Sequence, residues 1–262
     1  MALQSDIGKL SVEEFARQIH GQMVPLSNRF SYFLTALPLT EDDIKEYLAD
    51  PIAALPPSLS ASLPPTSVLL VPYLERIVSP AAEESRNGEY VSFEKPDAKA
   101  QIWTASLVKP DEAILAFGVK DEDVADHHYR FFHACAEMAA GLSAEATLEP
   151  FYAVLRDELN AGVHGEVDEE SWQLKQALLR RARRFRHRSK GFVKYARQAF
   201  LDTLTLYLHG ICCDIDIETG PRQIASRHLR RRLELLESLY PPPQGYPVFP
   251  EDVNHAEKAP AP

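Results

Sequence analysis

The longest helical pattern in the chain is SWQLKQALLRRARRFRHRSKGFVKYARQAFLDTLTLYLHGI, residues 171–211. Its apolar residues recur every three or four positions, which predicts an amphipathic segment that packs one side on a core. These residues are Leu174, Leu178, Phe185, Phe192, Ala196, Phe200, Leu204, Tyr207 and Ile211. Because one helix of this length is unusual in a compact domain, we expect Ser189-Lys190-Gly191 to divide it into two.

The same segment is strongly basic. Residues 171–201 hold ten Lys and Arg and no Asp or Glu, although the whole chain has a net charge of −10. The rest of the chain therefore sums to about −20, so the charge is segregated. An acidic block precedes the basic segment; its members are Asp157, Glu158, Glu166, Asp168, Glu169 and Glu170. The basic residues either pair with this block or face outward toward an acidic partner.

We interpret the polar side of this segment as a surface that binds an acidic protein or another anionic ligand. The candidate binding residues are Arg180, Arg183, Arg184, Arg186, Lys190, Lys194 and Arg197. Nucleic acid is an alternative partner, because a row of Arg side chains suits phosphate groups. It fits less well, since nucleic-acid binders are usually basic overall and since Phe185, Phe192 and Phe200 belong to the apolar stripe.

Composition favours a soluble cytoplasmic protein. The chain has 262 residues, of which 45% are hydrophobic and 25% charged, as is common for globular proteins. Its N-terminus lacks the pattern of a signal peptide, and no uninterrupted apolar run is long enough for a membrane span, so no membrane partner is predicted. The three cysteines, two of them adjacent, make no disulfide framework and favour a reducing compartment.

The order of elements predicts an α+β fold. Strand-like runs lie at 67–71, 90–93, 101–108 and 113–119, with Pro96-Asp97 and Pro110-Asp111 in the turns. These short connections predict a small antiparallel meander over about residues 66–119. Helical patterns follow at 122–141, 148–160, 169–188, 190–210 and 222–239. The glycine-flanked segment 162–165 is expected to be a turn between two of these helices.

The N-terminal part has clear helix starts. Ser11 and Glu14 form a capping box, and Thr40 precedes three acidic residues. The helix after Thr40 is expected to stop at Pro51, and residues 51–80, rich in proline, predict an extended connector around one strand. The predicted organisation is a helical segment at 1–50, connector and sheet at 51–120, a helical region at 121–240, and a Pro-rich tail at 241–262 that wraps the surface or is disordered. The first three parts are expected to form one compact unit.

Candidates for chemistry are few. His133, Glu137 and Arg130 share the polar side of one predicted helix and could supply acid–base or ligand groups, whereas His128 on the other side is interpreted as a core histidine. Asp214, Asp216 and Glu218 alternate along an extended segment and could hold a divalent cation.

No phosphate-binding loop, dinucleotide fingerprint, serine-nucleophile motif or CxxC pair occurs in the sequence. We therefore expect a non-enzymatic interaction or regulatory module without a cofactor. The alternative is a metal-dependent hydrolase that uses His133, Glu137 and the three carboxylates around one divalent ion.

Overall fold

The computed structural model describes residues 9–35, 37–77, 88–143, 145–180, 189–213 and 222–249. These residues fall into two compact units. The first, here called the sheet unit, is drawn from Met1–Ile52 and Leu63–Arg130. The second, the helical unit, is drawn from Ala53–Ser62 and Phe131–Pro262. Sheets and helices are both well represented, so the predicted α+β class is confirmed.

The sheet unit contains two sheets. Its strands are β1 (Val24–Pro25), β2 (Phe30–Leu34), β3 (Thr66–Val71), β4 (Tyr73–Ile77), β5 (Gly88–Ser92), β6 (Gln101–Ile102), β7 (Thr104–Val108) and β8 (Ala113–Gly118). Five of them form a mixed sheet in the order β1-β2-β3-β8-β7, and β4 lies between β5 and β6 in a three-stranded antiparallel sheet. Every strand-like run of the sequence is therefore a strand or a pair of strands.

The topology differs from the predicted antiparallel meander. The β7–β8 hairpin around Pro110-Asp111 is antiparallel as predicted, but β3 runs parallel to both β2 and β8. A parallel pair needs a long crossover rather than a tight turn, and residues 35–65 supply it between β2 and β3. All four residues from Val68 to Val71 are fully buried, as expected for a strand covered on both faces.

Helix α1 (Val12–Ile19) covers one face of the mixed sheet. The predicted capping box is present: the Ser11 hydroxyl accepts the Glu14 backbone N–H at 3.3 Å, and the Glu14 carboxylate accepts the Ser11 N–H at 3.0 Å. Val12, Phe15 and Ile19 are buried against the apolar cluster of the sheet. The cap and the buried residues thus place the same helix, α1, on the sheet.

The helix after Thr40 continues past the predicted stop at Pro51. It begins as α2 (Glu41–Ile44), passes through a π-helical turn at Lys45–Ala49, and becomes α3 (Asp50–Ala54). Because proline has no N–H, Pro51 cannot donate to the carbonyl four residues earlier, that of Tyr47. The His127 Nε2–H donates to this carbonyl instead, at 3.0 Å. His128 Nε2 donates likewise to the Glu46 carbonyl, at 2.8 Å, so the interpretation of His128 as a core histidine is confirmed.

The prediction of an extended connector over residues 51–80 is wrong. Its first half holds α3 and α4 (Pro57–Ser62), and its second half holds β3 and β4. Proline is tolerated in the first turn of a helix, where a backbone N–H needs no intrahelical partner, and Pro57 is the first residue of α4. Pro57 therefore marks a helix start rather than an extended connector.

The remaining helices follow the predicted order. They are α5 (Val124–Leu142), α6 (Glu145–Asn160), α7 (Glu169–Leu179), α8 (Lys190–Cys212) and α9 (Ser226–Leu239). The predicted break is confirmed at the start of α8, where the Ser189 hydroxyl accepts the Phe192 N–H at 3.1 Å. Of the tail, residues 241–249 are described, and the Phe249 ring lies 4.5 Å from the Arg230 guanidinium. Residues 250–262 lie outside the described part.

The turn between α6 and α7 brings two distant segments together. Gly162 and Gly165 both have positive φ, of 68° and 85°. At Gly165 a Cβ would lie 2.2 Å from the Gln223 carbonyl oxygen, because Glu166 pairs with the backbone around Gln223. Gly165 is therefore required both by conformation and by close backbone approach.

We expect Gly165→Ala to lower the free energy of unfolding by more than about 3 kcal/mol, because strain and a steric overlap add at this site. Gly162→Ala is the matched control: its φ is also positive, but no atom lies within 4 Å of its Cβ position. That variant should lose only about 1 kcal/mol. Chemical denaturation measures both values, and equal losses would show that the contact with Gln223 is unimportant.

Candidate functional site

The predicted basic surface is described in part. Arg180, Lys190, Lys194 and Arg197 are all exposed. Arg183, Arg184 and Arg186 lie outside the described residues. Arg180 is the C-cap residue of α7, and the other three lie in the N-terminal part of α8.

Three of these cations follow one side of α8. Lys190, Lys194 and Arg197 are spaced four and three residues apart, which places them on the same helix face. The opposite side of this part of α8 is buried; its residues are Phe192, Tyr195, Ala196, Ala199 and Phe200. Within the described part of the chain, the three cations have neither a side-chain hydrogen bond nor an ion pair. We call Lys190, Lys194 and Arg197 the α8 basic face.

The acidic block does not neutralise this face. Four of its six carboxylates contact cations, mainly from other parts of the helical unit, whereas Asp168 and Glu170 have no ion pair among the described residues. The pairs, with their closest N–O distances, are Asp157 with Arg231 at 3.2 Å, Glu158 with Arg232 at 2.5 Å, Glu166 with Arg232 at 2.7 Å and with Lys175 at 2.9 Å, and Glu169 with Arg222 at 2.5 Å. Only Lys175 comes from the basic segment, and it is buried. In the part of the chain that the structure describes, the two blocks of opposite charge therefore meet only through Lys175.

A buried charge network lies at the centre of the helical unit. The Arg232 guanidinium donates to Glu158 and Glu166, and Glu166 Oε1 also accepts the Lys175 ammonium at 2.9 Å and the Tyr195 hydroxyl at 2.5 Å. The side chains of the four ionised groups are at most 1% exposed. Two positive and two negative charges balance inside it. It joins α6, α7, α8 and α9, and its burial leaves no access for a substrate.

Electrostatics within this network favour the ionised forms. Burial alone would raise the pKa of Glu166, but the nearby Arg232 and Lys175 charges outweigh it and hold that pKa below its usual value. Burial and the Glu166 charge raise the pKa of Tyr195, which keeps its hydroxyl protonated as a donor. Sequence reasoning missed Arg232, although it has helical spacing with the buried Leu229 and Leu236. A charged residue inside an apolar stripe is the signal that could have found it.

Asp202 of α8 is a buried carboxylate with few hydrogen bonds to offset its loss of hydration. It accepts a hydrogen bond from Gln198 at 2.8 Å, while its second oxygen has no partner among the described residues. Burial raises its pKa to about 6, against the opposing effect of the hydrogen bond from Gln198. The site is a source of pH-dependent stability.

The predicted catalytic residues lie on α5 in different surroundings. His133 is half-buried and Glu137 is exposed, one helical turn apart. Arg130 donates to the buried side chain of Glu122 and lies 5.3 Å from the Trp103 ring, so it is engaged structurally. Burial raises the pKa of Glu122 to about 7 despite the Arg130 charge.

Asp214, Asp216 and Glu218, the predicted metal-binding carboxylates, lie outside the described residues. The hypothesis of a divalent metal site shared by these carboxylates with His133 and Glu137 stays a prediction.

Comparisons with protein-family models, with curated proteins and with solved structures found no match to this chain. Among the described helices, none combines the length and apolar character needed to cross a membrane.

We expect Arg232→Met to lower the free energy of unfolding by about 3 to 5 kcal/mol, because it leaves Glu158 and Glu166 buried with too little positive charge. Arg231→Met is the control on the same helix, since its pair with Asp157 is exposed and should contribute less than about 1 kcal/mol. Denaturant unfolding of the two variants measures the difference. Similar losses would contradict the central role of the network.

Asp202→Asn should stabilise the protein in a pH-dependent manner. Because folding raises the Asp202 pKa from 3.8 to about 6, the native protein loses stability as pH rises through this interval. The variant avoids that loss, so its advantage should be near zero at about pH 4 and reach about 3 kcal/mol at about pH 7. Unfolding free energies across this range measure it. Asp157→Asn, at an exposed site, should differ from the wild type by no more than about 0.5 kcal/mol.

Proposed function

We propose that the chain is a non-enzymatic interaction or regulatory protein that binds an acidic protein partner through the α8 basic face. The observation that carries this proposal is the row of exposed cations, Lys190, Lys194 and Arg197, with no partner in the described part of the chain. Four of the six carboxylates of the acidic block pair with other cations, and among the described residues none of the six contacts this face. The acidic surface of a partner would neutralise these positive charges.

The arrangement is unfavourable for the isolated helix, which supports a role in binding. Lys190 is the first residue of α8, where the helix dipole already presents partial positive charge. Lys190 and Lys194 are like charges four residues apart, a spacing that destabilises a helix by about 0.2 to 0.5 kcal/mol. Carboxylates that dock against this end of the helix would offset both the charge of Lys190 at the helix N-terminus and its repulsion with Lys194. Residues that oppose local stability are more readily explained by a partner than by folding.

A protein partner fits the molecule better than nucleic acid. The net charge of −10 repels a polyanion at long range, whereas a local acidic patch on a protein meets only the basic face. Phe192 and Phe200 are fully buried and cannot stack on bases. Composition, with three cysteines of which two are adjacent, supports a reducing compartment, and we propose that the interaction takes place in the cytoplasm.

The test is a charge-reversal variant, Lys190→Glu/Lys194→Glu/Arg197→Glu, with a labelled polyglutamate peptide as the acidic probe. We expect the wild type to bind the peptide at low salt and to release it as salt rises, because screening weakens contacts between exposed charges. The variant should bind about tenfold more weakly or not at all. Fluorescence anisotropy measures both proteins.

The matched control is Lys95→Glu/Lys99→Glu/Lys120→Glu, which makes the same change in net charge at exposed lysines of the sheet unit. It should bind the peptide as the wild type does. Absence of peptide binding by the folded wild type, or equal losses in the two variants, would overturn the proposal. Tighter binding of labelled DNA or RNA than of the peptide, lost in the α8 variant, would replace the protein partner with nucleic acid.

A further inference from the structure

The sheet unit contains a cleft at one end of its mixed sheet. Its volume is about 520 Å³, within the range of small-molecule sites. The floor lies at the amino ends of β2, β3 and β8, and one wall is the outer side of α1. The cleft belongs to the sheet unit alone, so it is distinct from the α8 basic face.

The floor combines hydroxyl groups with apolar side chains. Ser31 of β2 and Ser67 of β3 are register partners on adjacent parallel strands, so they lie side by side. Along β3, residues two apart share a sheet face, so Ser67 lies on the same face as the buried Leu69. Leu69 and the half-buried Ile114 also line the cleft. The apolar face beneath α1 therefore ends in two half-buried serines that open into the cleft.

The mouth of the cleft has an excess of positive charge. The Lys109 ammonium lies 3.2 Å from both the Glu13 and the Glu112 carboxylate, so one cation pairs with the two carboxylates of the lining. Arg17 of α1 is 3.7 Å from Glu13, too far for a hydrogen bond, and its side chain is 72% exposed. Arg29 is a further cation of the lining. With these residues ionised, the lining carries one more positive charge than negative.

Several polar groups of the lining have unused hydrogen-bonding capacity. Arg17, His20, Asn28, Ser31 and Ser67 make no side-chain hydrogen bond to another described residue. They come from α1, from the loop before β2, and from two strands, yet they converge on one space. Convergent donors above a partly apolar floor are the usual composition of a ligand site.

We propose that this cleft binds a small organic anion with an apolar body. The Arg17 guanidinium contacts the anionic group at the mouth, Ser31 and Ser67 donate to polar atoms of the ligand, and Ile114 contacts its apolar part. Guanidinium suits a carboxylate, sulfonate or phosphate group because it offers parallel donors in a fixed geometry. The ligand class follows from the excess positive charge at the mouth and from the apolar floor.

The proposal is tested with two probes of one skeleton, anilinonaphthalene sulfonate and the uncharged phenyl naphthylamine. We expect the folded wild type to bind the sulfonate at one saturable site and to bind the amine more weakly, as measured by fluorescence titration. Arg17→Gln should weaken sulfonate binding about tenfold and leave amine binding unchanged, because it removes a charge-assisted contact. Ser67→Phe should abolish binding of both probes by filling the floor.

Arg76→Gln is the control, since it removes an exposed cation of the same unit that does not line the cleft. It should leave both affinities unchanged, and thermal unfolding establishes that each variant is folded. If Ser67→Phe does not fold, the comparison of sulfonate affinity between Arg17→Gln and Arg76→Gln still tests the proposal. No saturable sulfonate binding by the wild type, or equal effects of those two variants, would overturn the proposal.

Discussion

The helical unit depends on the buried pairing of Arg232 with Glu158 and Glu166. Moving such charges out of water costs desolvation free energy, and this cost is offset only when each charge has close partners of opposite sign. Here Lys175 supplies the second positive charge and Tyr195 an additional donor to Glu166. A network of this kind contributes little net stability compared with apolar packing. It fixes instead which residues of four helices face one another, because any other arrangement would leave a charge buried alone.

A related constraint operates in the sheet unit. Pro51 leaves the Tyr47 carbonyl without its helical donor, and the π-helical turn leaves the Glu46 carbonyl free as well. Two adjacent histidines of α5 donate to these carbonyls, at 3.0 and 2.8 Å. Burial lowers the pKa of His127 to about 4, so this imidazole is neutral at ordinary pH and its Nε2 carries the proton. In both units, distant side chains satisfy polar groups that local structure leaves open.

Local signals in the sequence predicted local structure. The capping box at Ser11, the helix start at Thr40, the break before Lys190 and the strand-like runs are all present, since each depends on residues within a few positions. The parallel pairing of β2 with β3 was not predictable in this way, because strand order depends on contacts between distant residues. The role of Arg232 was hidden for the same reason: its partners are at least 66 positions away. Of the candidate site, the exposure of Lys190, Lys194 and Arg197 followed from helical spacing, but the cleft beside α1 has no sequence motif.

The basic segment shows that a run of cations in a sequence can contain both buried, paired residues and exposed ones. Lys175 and Lys194 belong to the same run of cations, yet Lys175 is buried beside Glu166, whereas Lys194 is exposed and has no partner among the described residues. The difference arises because Lys175 lies in the buried network with Glu166, whereas α9 supplies Arg231 and Arg232 to Asp157 and Glu158. Internal pairing occupies four carboxylates of the acidic block, and no carboxylate in the described part of the chain contacts the α8 basic face. Repulsion among the cations of the α8 basic face lowers the stability of α8. An acidic partner that binds this face would relieve the repulsion and gain binding free energy from it.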